Sequence, residues 1–270
     1  MLRARLITAL FLLGGFLAAL FLLPDFHWAA LMLGIIVLGA WEWGRLATFS
    51  PLGQRLYALS ALAVGALLLP GAMPGEWAHQ VLFWGILVAV PLWLVLIPFW
   101  LLKMHRGVSK SLMVAAGVAV LLPAWLSLIT LRHASPWLVL GLMATVWIAD
   151  SAAYFAGKAF GRHKLAPRIS PGKTWEGVVG AMAAVTVYGG AVHIATGVSL
   201  WLLVGLWCLT VLSIIGDLFE SLLKRQAGLK DSGSVLPGHG GVLDRIDGLL
   251  PTLPLAAFYL HFPLYYMLLL

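Results

Sequence analysis

The sequence predicts an all-α, polytopic transmembrane protein of about nine spans with a cytoplasmic N-terminus. Three observations carry that reading. Of 270 residues, 62% are hydrophobic and only 10% charged, against roughly one-quarter charged in soluble domains, and mean hydropathy is +0.99. Apolar runs close to the roughly 20 residues needed to cross a bilayer recur from one end of the chain to the other. Lys and Arg collect in alternate loops, as the positive-inside rule requires.

The expected spans are about 5–23, 27–47, 56–73, 80–102, 111–131, 137–157, 177–196, 199–219 and 248–269. The first follows "MLRAR" and looks like a signal sequence. It is longer than a signal core and lacks a small-residue cleavage site, so it reads as a retained span. The second opens after "LPDFHW" and closes on "AWEWGR", with Trp at headgroup level on both sides. The third is short and interrupted by Gly and Pro. The fourth carries Pro91 and Pro98, either of which is able to split it. The fifth and sixth flank Arg132. On the seventh, Gly177 with Ala181 and Gly180 with Ala184 stand at four-residue spacing, the pattern of close helix packing; His193 on that span reads as a packed side chain. The eighth holds Cys208, which, as the single cysteine, excludes an internal disulfide, a four-cysteine zinc site and a redox pair. The ninth begins after "DRID". The chain divides into N-terminal transmembrane helices, 1–135, and a C-terminal catalytic transmembrane domain, 136–270.

With the N-terminus inside, all seventeen Lys and Arg fall in cytoplasmic loops except Arg132. A net charge of +7 is then accounted for by topology and by attraction to the anionic lipid bilayer, with no nucleic acid as partner. Ahead of residue 149 the only acids are Asp25, Glu42 and Glu76. They read as interface residues, and pairing with Arg45 at i+3 is enough to explain Glu42. Asp150, Glu176, Asp217, Glu220, Asp231, Asp244 and Asp247 instead gather in or beside cytoplasmic loops. Ionisable groups at the bilayer boundary are costly and mark function.

Two constellations can carry chemistry. In "DSAAYFAGKAFGRHKLAPRISPGKTWEG", residues 150–177, Gly172-Lys173-Thr174 imitates the end of a phosphate-binding P-loop, but Pro167 stands where that loop needs Gly. What remains is a polar turn ahead of a helix starting near Trp175, whose backbone N–H groups attract phosphate; Ser170 or Thr174 can equally cap that helix. In residues 216–248, Asp217, Glu220, Ser221 and Lys224 recur on one helical face, followed by a glycine-dense loop. Asp244 and Asp247 then lie at i, i+3 at a helix start. Two such carboxylates either complement the helix dipole or hold magnesium together with substrate phosphates. His239 has no partner at zinc spacing and is a hydrogen-bond donor to phosphate, a general acid or a loop-structuring residue. The residues by themselves reach a membrane enzyme that handles phosphates with a divalent cation at the cytoplasmic surface.

Residues 221–247 resemble the phosphatidate cytidylyltransferase (CDP-diacylglycerol synthase) family. The resemblance rests on Ser221, Lys224-Arg225, Lys230-Asp231, Gly233, Leu236-Pro237, His239-Gly240-Gly241 and Asp244-Arg245-Ile246-Asp247, with Asp150, Tyr154, Gly157, Ser170-Pro171, Lys173-Thr174 and Glu176-Gly177 upstream. It covers roughly residues 145–250; Gly172 departs from the Lys carried by many relatives. It implies CTP and phosphatidate as substrates, CDP-diacylglycerol and pyrophosphate as products, and Mg2+ as cofactor. It also implies a bacterial inner (plasma) membrane with the active site facing the cytoplasm, and allows a homodimer. Asp217, Asp244 and Asp247 would be metal ligands, acting in catalysis with Lys224 and His239. Ser170, Lys173, Thr174, Ser221, Arg225, Lys230, Asp231 and Arg245 would bind substrate. The rival readings are a CTP-dependent polyprenol kinase, a CDP-alcohol phosphotransferase, or, in a different class, a cation-coupled transporter.

Overall fold

A computed structural model describes residues 13–72, 75–104, 108–235, 238 and 240–261. The described elements are α1 (Leu13–Leu22), α2 (Asp25–Leu46), α3 (Pro51–Leu67), α4 (Gly75–Pro91), a π-helical turn (Leu92–Leu96), α5 (Ile97–Lys103), α6 (Lys110–Ala134), α7 (Pro136–Phe160), β1 (Lys164–Ala166), β2 (Ser170–Thr174), α8 (Trp175–Thr196), α9 (Leu202–Gln226), α10 (Leu243–Ile246) and α11 (Leu249–His261). Among the described residues six helices are long and apolar enough to cross a membrane: α2, Gln80–Lys103, α6, α7, α8 and α9. α1 and α11 are apolar but shorter among the described residues, and α3 has 17 residues. The molecule is a polytopic helical membrane protein. Pro91 and Pro98 do not split the fourth span; the π turn absorbs the missing proline donor and the helix runs on to Lys103.

The fold departs from all-α at one place. Residues 164–174 form an antiparallel ribbon, with Lys164 opposite Thr174 and Ala166 opposite Ser170. Ile169 N–H closes its turn on the Ala166 carbonyl at 3.1 Å. Strands this short carry too few residues for a two-residue period to show in the sequence.

Lipid is as apolar as a leucine side chain, so these helices associate through close packing and hydrogen bonds. On α8 the buried residues are Gly177, Ala181, Val185 and Gly189, one seam at four-residue spacing, which is the predicted packing face. A Cβ on Gly180 would lie 2.4 Å from the Ala156 Cβ, so α7 and α8 touch almost backbone to backbone. The rest of α8 faces outward, with Val187 74% and Ile194 85% exposed, as lipid contact requires. At the other side of the bundle, Trp43 Nε1 donates to the Met113 carbonyl at 2.9 Å and Trp125 Nε1 to the Ala29 carbonyl at 3.1 Å, joining α2 to α6. Phe219 of α9 lies among the rings of Trp43, Trp93 and Trp100, with centroids 6.2, 5.9 and 5.4 Å away. That wedge fixes the turn of α9 that carries Asp217 and Glu220. α11 packs against α4 and α6 as well as α9, so the last helix lies against the N-terminal ones.

Arg132, the exception to the charge asymmetry, is buried at the C-terminal end of α6. Its Nε donates to the Leu20 carbonyl at 3.2 Å, its remaining nitrogens reach the Leu23 carbonyl and Asp25, and its guanidinium lies 5.7 Å from the Trp28 ring. It caps α1 and ties it to α2 and α6, a structural clamp. Asp25 and Glu42 mark opposite ends of α2, roughly 25 Å apart at 1.5 Å per residue. Arg132 therefore sits at the far end of the bundle from the acids described next.

Candidate active site

The C-terminal ends of α2, α7 and α9 meet the N-terminal ends of α8 and α11 at one end of the bundle, with the ribbon and residues 227–235 and 240–242 beside them. Each contributes a polar group that its hydrophobic span would not tolerate at mid-membrane. Thr174 ends β2 and caps α8, accepting from Gly177 N–H at 3.1 Å. Ser170 lies half-buried on β2 and does not cap. One residue before Thr174, Lys173 places its Nζ 2.6 Å from Asp217 Oδ2, and Ser221 donates to Asp217 Oδ1 at 3.2 Å. Asp150 is within electrostatic reach of both Lys173 and Asp217.

One turn further along α9, Lys224 Nζ lies 2.7 Å from Asp244 Oδ1 and 3.5 Å from Glu220 Oε1. Asp244 Oδ2 accepts from Ser232 N–H and Oγ–H at 3.0 Å each and from Gly241 N–H at 2.8 Å. Burial raises the Asp244 carboxyl, but the hydrogen bonds from Lys224 and Gly241 outweigh it and hold the group below the usual carboxylate range. Asp247 accepts from Gly248 N–H at 2.8 Å. Burial, and then the Asp217 carboxylate, push it up to about 7. Arg225 Nε donates to the Ile169 carbonyl at 3.4 Å, pinning the ribbon turn to α9. Lys230 and Asp231 are exposed on the loop that follows. Arg245 is exposed and lines an apolar cavity of about 500 Å3 with Met32, Trp125, Met143 and Leu253. His239 lies outside the described residues.

Two acids of the cluster are given no ligand or catalytic role by the sequence. Glu220 is 5% exposed, interacts with Asp247 and Asp244, and has no N–H or alcohol donor at either oxygen. Its position three residues after Asp217 and four before Lys224 was the available signal. Glu42 does not pair with Arg45. It is completely buried and accepts from Val242 N–H at 3.0 Å, Leu243 N–H at 2.8 Å and Ser232 Oγ–H at 3.0 Å. Nothing local in the sequence announces partners 190 to 201 residues away.

The expected ligand trio of Asp217, Asp244 and Asp247 is not assembled as such: among the described residues no three acidic, His or Cys side chains converge as a ready metal-holding group. Lys224 and the backbone N–H groups of Ser232 and Gly241 engage Asp244 instead. The donor set nevertheless fits a divalent cation. Asp217, Glu220, Asp244 and Asp247 share only the two ammonium groups of Lys173 and Lys224, and both Glu220 oxygens are buried. Magnesium is commonly held by one or two carboxylates and completed by substrate phosphates.

A model of the cytidylyltransferase family matches residues 3–263. The chain is 42% identical over 271 residues to a phosphatidate cytidylyltransferase of Pseudomonas aeruginosa, covering 95% of this chain and 96% of that protein. It is 34% identical over 296 residues to one of Haemophilus influenzae, covering 98% and 100%. One of Thermotoga maritima matches at 42% over 123 residues, 43% of this chain and 46% of that one. The first two matches extend far beyond residues 145–250 and take in the N-terminal helices that hold Glu42 and Arg132. Every residue of the cluster falls inside the matched span, and the chain belongs to the cytidylyltransferase family.

Proposed function

We propose that this protein transfers the cytidylyl group of CTP to phosphatidate, forming CDP-diacylglycerol and pyrophosphate at the cytoplasmic face of a bacterial inner membrane. The observation that carries the reading is the juxtaposition of a carboxylate–lysine cluster with an apolar cavity, bridged by α10. Asp244 and Asp247 face the cluster, while Arg245 and Ile246 line the cavity. At about 500 Å3 the cavity has the size of an ordinary ligand pocket. An acyl chain occupies it while the lipid phosphate lies at the level of Arg245.

A phosphate oxygen of phosphatidate attacks the α-phosphorus of CTP in line. The bond from that phosphorus to the bridging oxygen breaks, and its electron pair leaves with pyrophosphate. No protein nucleophile is needed, because the lipid phosphate is competent once oriented and stripped of water. Mg2+, when bound, offsets charge on the nucleotide phosphates. Asp217, Glu220 and Asp247 would hold it, and Asp244 would be free to contribute once Lys224 moves onto a phosphate oxygen. Lys173 makes the same exchange from Asp217. Arg225 and Lys230 add positive charge at the mouth, and His239 donates to phosphate from the adjoining loop.

Nine spans with a cytoplasmic N-terminus accord with the placement of Glu42 on α2 and Arg132 on α6 at opposite ends of the bundle. The deciding experiment supplies purified protein with phosphatidate and CTP labelled at the α- or γ-phosphate. Label from the α position in lipid, and from the γ position in pyrophosphate, is expected. Label from the γ position in lipid would make the protein a kinase; no transfer together with ion flux in proteoliposomes would make it a transporter.

A further inference from the structure

We infer that Glu42 is a positioning residue for the cytidylyl transfer: its carboxylate sets the first turn of α10 and, through Ser232, the orientation of Asp244. The inference rests on the function proposed above. Glu42 is 0% exposed and lies near the inner end of a membrane-crossing helix, where an ionised group is costly unless fully paired. Its partners are all neutral donors from a single distant segment. Oε1 takes Val242 N–H, and Oε2 takes Leu243 N–H and the Ser232 hydroxyl. The same hydroxyl is 3.0 Å from Asp244 Oδ2. Its single proton serves the two carboxylates in competition, and with Ser232 N–H also donated to Asp244 Oδ2 at 3.0 Å residue 232 couples the position of one carboxylate to that of the other.

The surrounding backbone is shaped to this carboxylate. A Cβ on Gly233 would lie 2.0 Å from Glu42 Oε1, and one on Gly241 would meet Ser232 Oγ at 2.1 Å and Glu42 Oε1 at 2.6 Å. Only glycine lets the loop wrap so closely. One turn earlier on α2, Gly39 seats the Leu243 side chain, whose Cδ2 would be 3.2 Å from a Cβ there. α2 therefore fixes both the backbone and the side chain that begin α10. Asp244, Arg245 and Asp247 follow on the same turn, and Lys224 is held by Asp244 at 2.7 Å. A shift of α10 by a fraction of a turn would move the cluster away from the phosphates.

Glutamine cannot stand in. Both Glu42 oxygens receive backbone N–H groups, so one of them would face the amide NH2, donor against donor. Aspartate withdraws the carboxylate by one methylene.

The test compares Glu42→Gln, Glu42→Asp, Ser232→Ala and the Glu42→Gln/Ser232→Ala double variant, using monodisperse solubilised protein and counting turnover per folded molecule. A misplacement near 1 Å costs about 100-fold. The expected result is therefore a kcat lowered about 100-fold for Glu42→Gln and about tenfold for Ser232→Ala, with KM for CTP within about threefold. Glu42→Asp should fall between wild type and Glu42→Gln, and the double variant should be no slower than Glu42→Gln. A merely structural role lowers yield and melting temperature but leaves kcat per folded molecule intact, and that outcome overturns the inference. If Glu42→Gln does not accumulate, Ser232→Ala decides: a lowered kcat supports the role and an unchanged kcat ends it. Wild type without transfer overturns the functional reading; wild type active with unaffected variants overturns the role of Glu42 alone.

Discussion

Glu220→Gln separates what the fold needs from what the chemistry needs. The carboxylate is buried in α9 with no N–H or alcohol donor on either oxygen, and Asp244 and Asp247 beside it. Its attractions are Lys224 at 3.5 Å, about 5 kcal/mol at an effective dielectric near 20, and a side-chain hydrogen bond shared with Asp247. The same lysine lies closer to Asp244, at 2.7 Å. Removing an ion from water costs several kcal/mol, which offsets that attraction and leaves the acid–acid repulsion and the missing donors as the balance. A glutamine of equal size ends the repulsion and offers its NH2 to Asp247, a gain of about 1–3 kcal/mol. The melting temperature without divalent cation should rise by roughly 2–10 °C. Losing one carboxylate from the cation site should raise the magnesium concentration for half-maximal transfer by about 10–100-fold. The paired assay is thermal unfolding in chelator and a magnesium titration of α-labelled CTP incorporation. A Glu220→Gln protein that melts lower in chelator, with an unchanged magnesium requirement, would refute both halves of the reasoning.

Arg132→Ala should do the reverse. It strips donors from the Leu20 and Leu23 carbonyls, while Asp25, at 49% exposure, is screened by solvent. A loss of about 2–4 kcal/mol lowers the melting temperature by roughly 5–15 °C, with kcat and KM within twofold; a kinetic defect would contradict its placement far from the cluster. Leu253→Trp intrudes on the cavity beside Arg245, and overpacking costs about 1–3 kcal/mol. The ratio of kcat/KM for decanoyl over palmitoyl phosphatidate should therefore rise at least about fivefold, and an unchanged ratio would move the acyl chain elsewhere. Asp247 is pushed from 3.8 to about 7, so the folded protein binds that proton more tightly than the unfolded chain does. Stability in chelator should fall as pH rises from about 4 to about 7, and magnesium should flatten the slope; a rise over that window would show the opposite linkage.

The helices were legible because crossing a bilayer demands uninterrupted apolar length, and α6, α7, α8 and α9 stand where that length placed them. The α8 seam was legible for a related reason: small residues at a fixed interval leave few alternatives. The Lys173–Asp217 and Lys224–Asp244 pairs follow from charges concentrated at successive span ends, although the partner of each lysine was not specified. Ribbon residues 164–174 gave no signal, since a three-residue strand has no period. Glu42 was misread because Arg45 at i+3 offered a local explanation, whereas its partners come from the far end of the chain. Glu220 stood in view and was passed over, because only burial reveals that it lacks a donor. Arg132 stood as the exception to the charge asymmetry, and only the structure shows that it is held by the carbonyls that end α1.

The link between Glu42 and the 232–243 segment also has a temporal side. α2 enters the membrane early in synthesis, while its hydrogen-bond donors are still about 190 to 201 residues from being made, roughly 10–40 s at bacterial elongation rates. Throughout that interval a carboxylate is held near hydrocarbon with nothing to satisfy it. A nascent chain released or cleaved before the last helix emerges keeps that defect permanently, which marks truncated products as ready substrates for membrane proteases.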